Sequence, residues 1–145
     1  VADNENHLYD PGRQGFLDGS IDWDTVMIKA ALVRGTSFNP AHSTLSQVGG
    51  TTAATSGAFT GKTVTNGVAY ASPITFTAVT TSSAEHYIVI YQAGTIAVPG
   101  TDAGNPAVQR LICWLGNGNG IPGLHPNGND INVTFDTGPN GIFKL

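Results

Sequence analysis

An all-β domain, an antiparallel β-sandwich or jelly-roll-like barrel with one short helix near its start, is the fold class this sequence predicts. Three observations lead there. Turn-forming residues are dense, with 19 Gly and 8 Pro in 145 residues, while charged residues make up only 11%, a balance that suits short strands joined by tight turns. Apolar residues either alternate with polar ones or run continuously over five or six positions, as half-buried and central strands do. Only one segment, after Asp10-Pro11, carries helix signals.

Residues 1–9 are polar, with Asp3, Glu5 and His7 ahead of the first apolar pair, Leu8 and Tyr9. They read as a flexible N-terminal arm before a single β-rich domain over residues 10–145. Val1 is small enough to follow an excised initiator methionine. Asp10 before Pro11 matches an N-cap and a first-turn proline, and Gly19 falls where a left-handed C-terminal cap belongs, so a helix is expected over Pro11 to Asp18. Its apolar side, Phe16 and Leu17, is too small to stand alone and must dock on the sheet.

Ile21 and Trp23 are apolar on odd positions, whereas Val26, Ile28, Ala30 and Leu32 are apolar on even ones. A two-residue period tolerates no such slip within one regular strand, so a tight corner is expected at Asp22 to Thr25, then a strand from Val26 to Arg34. The polar connection from Gly35 to Gly50 exceeds ordinary loop lengths and is a candidate surface or subunit contact. Thr51 to Phe59 reads as a weak strand. Lys62 to Thr65 and Val68 to Ala71 flank Asn66-Gly67, a hairpin signal. Ile74, Phe76 and Ala78 mark a half-buried strand, and His86 to Tyr91 a central one. Ala93 to Pro106 is a loop, Ala107 to Leu115 a buried strand, and Gly116 to Asn129 a Gly, Asn and Pro loop. Ile131, Val133 and Phe135 alternate in a further strand, and after a turn at Gly138 to Gly141 the chain finishes with Ile142 to Leu145 extended.

The net charge of -4 and pI near 5.3 supply no basic stripe, which removes the electrostatic footing for nucleic-acid binding and for an anionic membrane surface. No apolar run approaches the ~18 residues of a spanning helix, and no charged-then-apolar signal segment stands at the amino end. The single cysteine, Cys113, lies within Leu111-Ile-Cys-Trp-Leu115 and reads as a small core side chain rather than a nucleophile.

Chemistry-bearing motifs are sparse. Gly61-Lys-Thr63 resembles the end of a phosphate loop, but Ser56 stands where the first glycine belongs and a strand follows. Gly116-Asn-Gly-Asn-Gly120 is denied a helix by Pro122 and Pro126. His7, His42, His86 and His125 lack ligand spacing and read as dispersed surface residues, with the polar tip of His86 reaching water at a strand edge. Asp18, Asp22 and Asp24 could converge around the corner, but Asp at 18 and 24 is favoured for local turn bonding. Asn127-Gly-Asn-Asp130 offers too few oxygens for calcium. Asn132-Val-Thr134 matches a glycosylation acceptor by letters only, and Asn132 reads as the outward residue of its strand. No catalytic, cofactor or metal site is expected.

Phe16-Leu-Asp-Gly-Ser-Ile-Asp-Trp-Asp-Thr25 followed by Ile28-Lys-Ala-Ala-Leu-Val33 resembles the amino-terminal signature of a group of small tailed-bacteriophage virion proteins. The likeness continues in Gly61-Lys-Thr-Val-Thr65, Ile88-Val-Ile-Tyr91, Leu111-Ile112, Ile131-Asn-Val-Thr-Phe135 and Gly141-Ile-Phe-Lys-Leu145. It departs at Val26-Met27, where the group commonly has Asp ahead of Thr-Ile-Lys. The resemblance implies a viral structural protein located on the virion at the capsid surface. In that role it is a capsid decoration or cement protein that contacts the major capsid protein and itself, as a homotrimer. Leu8, Tyr9, Phe16 and Trp23 are then its interface or core anchors. Two alternatives accompany it: a tail or head-to-tail connection component, and a carbohydrate-binding sandwich using exposed Tyr70, Tyr87 or Tyr91. An enzyme would have to rely on Asp22 or Asp24 and is the weakest reading.

Overall fold

A computed structural model describes residues 6–116 and 124–145. The elements in chain order are β1 (His7–Leu8), α1 (Asp10–Leu17), β2 (Ile28–Arg34), β3 (Thr51–Thr55), β4 (Thr63–Thr65), β5 (Val68–Tyr70), β6 (Ile74–Phe76), β7 (His86–Gln92), β8 (Arg110–Leu115), β9 (Ile131–Val133) and β10 (Phe143–Lys144), with a 3-10 turn at Leu45–Gln47. The main sheet runs β1-β8-β7-β2-β3, a second runs β10-β5-β4, and β6 pairs with β9. Every described pairing is antiparallel. The all-β, sandwich-like class expected from the sequence is thus the observed one.

The corner after α1 explains the slip in apolar phase. The carbonyl of Asp22 accepts the N–H groups of Thr25 and Val26 at 3.2 and 3.0 Å, and its carboxylate accepts the N–H of Asp24 at 3.2 Å. That Asx-type turn absorbs the odd residue. As a result Ile21, Trp23, Val26, Ile28, Ala30 and Leu32 all enter one core, with the inner residues of the smaller sheets opposite them.

The main sheet is apolar on its other face as well. Ala31, Val33, Tyr87, Val89, Tyr91, Leu111 and Trp114 form a second cluster, closed by Phe38, Leu45 and Val48. The long connection over residues 35–50, expected as a candidate surface or subunit contact, has part of its surface spent on covering this face. Central strands buried on both faces read as continuous apolar runs, as β7 does from Tyr87 to Tyr91, and all of β7 is buried.

In β8 the register shifts opposite Ile90 and Tyr91, which face Cys113 and Leu111, so Ile112 is the extra residue of a bulge. Ile112 and Cys113 consequently both face the first core, and the carbonyl of Ile112 turns to accept the N–H of Tyr9 at 2.9 Å. Against that same carbonyl lies α1. A Cβ on Gly12 would stand 2.7 Å from Ile112 O, and one on Gly15 would stand 2.5 Å from the Ile21 side chain. The helix docks through these two buried glycines and through the expected Phe16, which packs on Phe143 and the first core, but not through Leu17. Phe16 is half-buried and Leu17 is 83% exposed.

Other expectations shift. The N-cap is Tyr9 rather than Asp10, which opens the helix and makes no side-chain cap bond; Gly19 does take the left-handed conformation, with φ 76°. The flexible arm does not extend to residue 9, because His7 and Leu8 pair with Trp114 and Cys113 and Tyr9 is fully buried. Asp3 and Glu5 of that arm, and residues 117–123 of the expected Gly and Asn loop, lie outside the described residues. His86 reaches no water: it is fully buried, with Nδ1 2.8 Å from the carbonyl of Ala84. Ala78 leaves its strand with φ 46°, and its N–H donates to Asp130 at 2.7 Å. The Asn66-Gly67 hairpin forms as expected, with φ 52° and 78°. These left-handed values suit a two-residue hairpin turn.

Candidate functional site

The four expected anchors occupy the interior of their own chain. Leu8 and Trp23 belong to the first core, with Phe16 packed against it, and Tyr9 belongs to the second. Trp23 meets Phe59 and Phe143 edge to face, at centroid distances of 6.1 and 5.3 Å, and its Nε1–H donates to the carbonyl of Tyr70 at 2.9 Å. Tyr9 is held against Phe38, and burial drives its phenol pKa up. These are core anchors; Phe16 and Trp23 also reach one surface feature.

That feature is an apolar groove of about 420 Å³ between the smaller sheet and the α1 corner. Its floor follows the pairing of the sheet: Val64 faces Ala69 and Ala69 faces Phe143. Phe16, Ile21 and Trp23 form a wall, Leu145 lies at the chain end, and Asp22 is the charged residue in the lining. Phe143 packs on Trp23 and Phe16, so its end of the row is closed. The opposite end is open. Val64 is 51% exposed and Leu145 55%.

Asp18 and Asp22 bond to their own neighbourhood, and Asp22 and Asp24 both act on the Lys62 ammonium. Asp18 accepts the N–H of Ser20 at 2.9 Å and Gln14 Nε2 at 3.2 Å. Hydrogen bonding from Ser20 is the largest cause holding its carboxyl below the usual range. Asp22 caps its own turn. Lys62 ties the following segment to the corner by donating to the carbonyl of Val26, so the Gly61-Lys62-Thr63 near-match to a phosphate loop is an internal strut. Among the described residues no group of three or more His, Cys, Asp or Glu converges to hold a metal ion.

A polar cluster elsewhere serves the fold. Lys29 on β2 reaches Asp102 at 2.9 Å, and Asp102 also accepts the N–H of Gly104 and the amide of Gln109, each at 2.8 Å. The Gly104 N–H, ahead of Lys29, holds the Asp102 carboxyl low. This arrangement latches the loop over residues 93–106 onto the sheet. Cys113 is fully buried, and burial pushes its thiol up to about 12, as expected of a core side chain.

Two of the three tyrosines offered for sugar stacking are unavailable. Tyr87 and Tyr91 are buried in the second core, and burial pushes both phenols up to about 12. Tyr70 is half-buried, its hydroxyl donating to the carbonyl of Gly138 at 2.9 Å. Sequence reasoning missed Val64, Phe143 and Leu145 as parts of one surface. Their only sequence signal is an apolar residue between two threonines ahead of a hairpin turn, and an apolar chain end.

Fold and groove together define an antiparallel β-sandwich that presents an apolar cleft beside an open strand. No protein-family model matches the chain, and no curated protein or solved structure matches it either.

Proposed function

We propose that this chain is a structural protein of a tailed-bacteriophage particle. It acts as a decoration or cement protein that binds the outer capsid surface and stabilises the shell through contacts with the major capsid protein and with its own copies as a trimer. The observation that carries the reading is the stretch Phe16 to Val33. The residues that resemble the phage virion group are the ones that build the end of α1, the Asx corner and the central strand β2, so the likeness falls on one continuous structural unit. A surface suited to protein contact adds support. Val64 and Leu145, 51% and 55% exposed, lie together in the apolar groove, the kind of contiguous apolar surface that partners cover.

The test is to mix the protein with undecorated mature shells, immature shells and isolated tails of tailed phages, sediment each, and count bound copies. Saturable binding to mature shells in multiples of the threefold sites is expected. Binding to tails alone would replace the cement role with a tail or connector role, and binding to none of them would overturn the virion reading.

A further inference from the structure

The apolar groove is bordered by a strand whose outer edge is unpaired. Among the described residues β4 pairs only with β5, in the register Thr63 with Tyr70, Val64 with Ala69 and Thr65 with Val68. In a two-residue hairpin the residues flanking the turn, here Thr65 and Val68, form the hydrogen-bonded pair, and alternation then turns the N–H and C=O of Val64 away from β5. The Val64 backbone thus offers a donor and an acceptor to the open side. Its side chain lies on the inner face of the sheet, in the row that continues through Ala69 to Phe143.

The row is covered at one end and bare at the other. Ala69 is 3% exposed and Val64 51%, because α1 and the corner pack over Phe143 but stop short of β4. A single added strand would extend the backbone ladder and the apolar row at once. The edge itself carries no guard: Thr63, Val64 and Thr65 include neither a charge nor a proline, the devices that normally discourage strand addition. The one charged residue lining the groove is Asp22, which is exposed, and Asp24 stands in the same turn. The nearby cation, Lys62, lies within the field of both carboxylates while donating inward to the carbonyl of Val26, so the corner keeps an excess of negative charge. An incoming segment therefore meets negative charge at this rim.

We infer that β4 accepts an extended segment of a partner protein as a fourth strand of its sheet, an aliphatic side chain of that segment filling the groove beside Val64 and a neighbouring basic side chain facing Asp22. This is strand addition, in which main-chain bonds supply attachment and one pocket supplies selectivity. The occupant is defined by that chemistry, an extended aliphatic and basic segment of another protein, so the inference stands or falls separately from the cement reading.

The probe is a short blocked peptide alternating leucine and threonine with lysine at both ends, and a second with glutamate at both ends. Each is titrated into the full chain, following tryptophan emission and the backbone amide signals of residues 63–65. Trp23 lines the groove, whereas Trp114 is fully buried and stacked on Tyr87. Saturable binding of the lysine peptide below ~1 mM is expected, at least tenfold weaker for the glutamate peptide. Val64→Pro, which removes the outward N–H without breaking a β5 bond, should weaken binding at least tenfold, and Val64→Glu should do the same by charging the groove. Ile96→Glu, on the apolar loop over residues 93–106, should leave it unchanged. No saturable binding, equal affinity for the two peptides, or unaltered binding by Val64→Pro in a folded variant would overturn the inference.

Discussion

Replacing Gly12 by alanine sets helix propensity against packing, and the structure decides which wins. In an open helix Gly→Ala stabilises by roughly 0.5–1 kcal/mol, through lower backbone entropy in the unfolded chain. At position 12 the new methyl would stand 2.7 Å from the carbonyl oxygen of Ile112 and 2.9 Å from its Cα. Ordinary carbon contacts begin more than roughly half an ångström further out. The obstacle is backbone, and that backbone belongs to a bulge whose carbonyl already holds the Tyr9 N–H at 2.9 Å, so it cannot swing aside cheaply. The helix must retreat, which also loosens Gly15 against Ile21. Overpacking of this kind costs about 1–3 kcal/mol; less the propensity gain, a net loss of about 1–2 kcal/mol is expected, or roughly 5 °C in Tm. Urea unfolding followed by circular dichroism measures it. Gly100→Ala serves as the control, since a Cβ there meets nothing within 4 Å and stability should hold or rise slightly. A Gly12→Ala protein as stable as the parent would refute the close docking of α1 on β8.

Trp23→Ala removes the ring between Phe59 and Phe143 and strips the Tyr70 carbonyl of its donor, so a loss of about 3–5 kcal/mol is expected in chemical denaturation. The Asp102 carboxyl lies low in the folded state, so its contribution is complete above the ordinary carboxylate value near ~3.9 and is lost as pH falls through the lower folded value. Asp102→Asn should therefore cost about 1 kcal/mol at neutral pH, and the gap to the parent should close as acid is added. A gap that widened would refute the latch. Cys113, buried with its thiol raised to about 12, should resist alkylation at pH 8 in the folded protein and react on unfolding in urea, as mass spectrometry would record. Rapid labelling of the native chain would contradict its place in the core.

The local grammar of the chain was readable where one residue type leaves few options. Asn66-Gly67 makes a hairpin because both positions tolerate left-handed φ. The odd-to-even slip between Trp23 and Val26 demands a turn, and Asp22 supplies it. The run from Tyr87 to Tyr91 carries apolar bodies on both faces and so reads as central. The helix was legible in its existence and only partly in its contact face: of the apolar pair Phe16 packs on the core and Leu17 does not, whereas glycines that allow close backbone approach carry no hydrophobic signal. His86 and Tyr87 look like exposed polar tips in a linear reading. Tyr87 is buried because the segment over residues 35–50 covers the second face of the sheet, and His86, on the opposite face, because its backbone is bridged by Leu124; both are long-range contacts that periodicity does not encode.

By itself the sequence determined the all-β class, the corner, the hairpin and the buried core positions of β2, β7 and β8, because turn chemistry and two-residue alternation are local properties of the chain. Only the tertiary structure decided that Ile112 bulges, that Gly12 and Gly15 seat the helix, and that Leu8, Tyr9 and Trp23 turn inward. It also decided that Val64, Ala69 and Phe143 form one row left open at the β4 edge. Those outcomes depend on which strands lie side by side and where a covering segment stops, and residues far apart in the chain meet only once the sheets have closed.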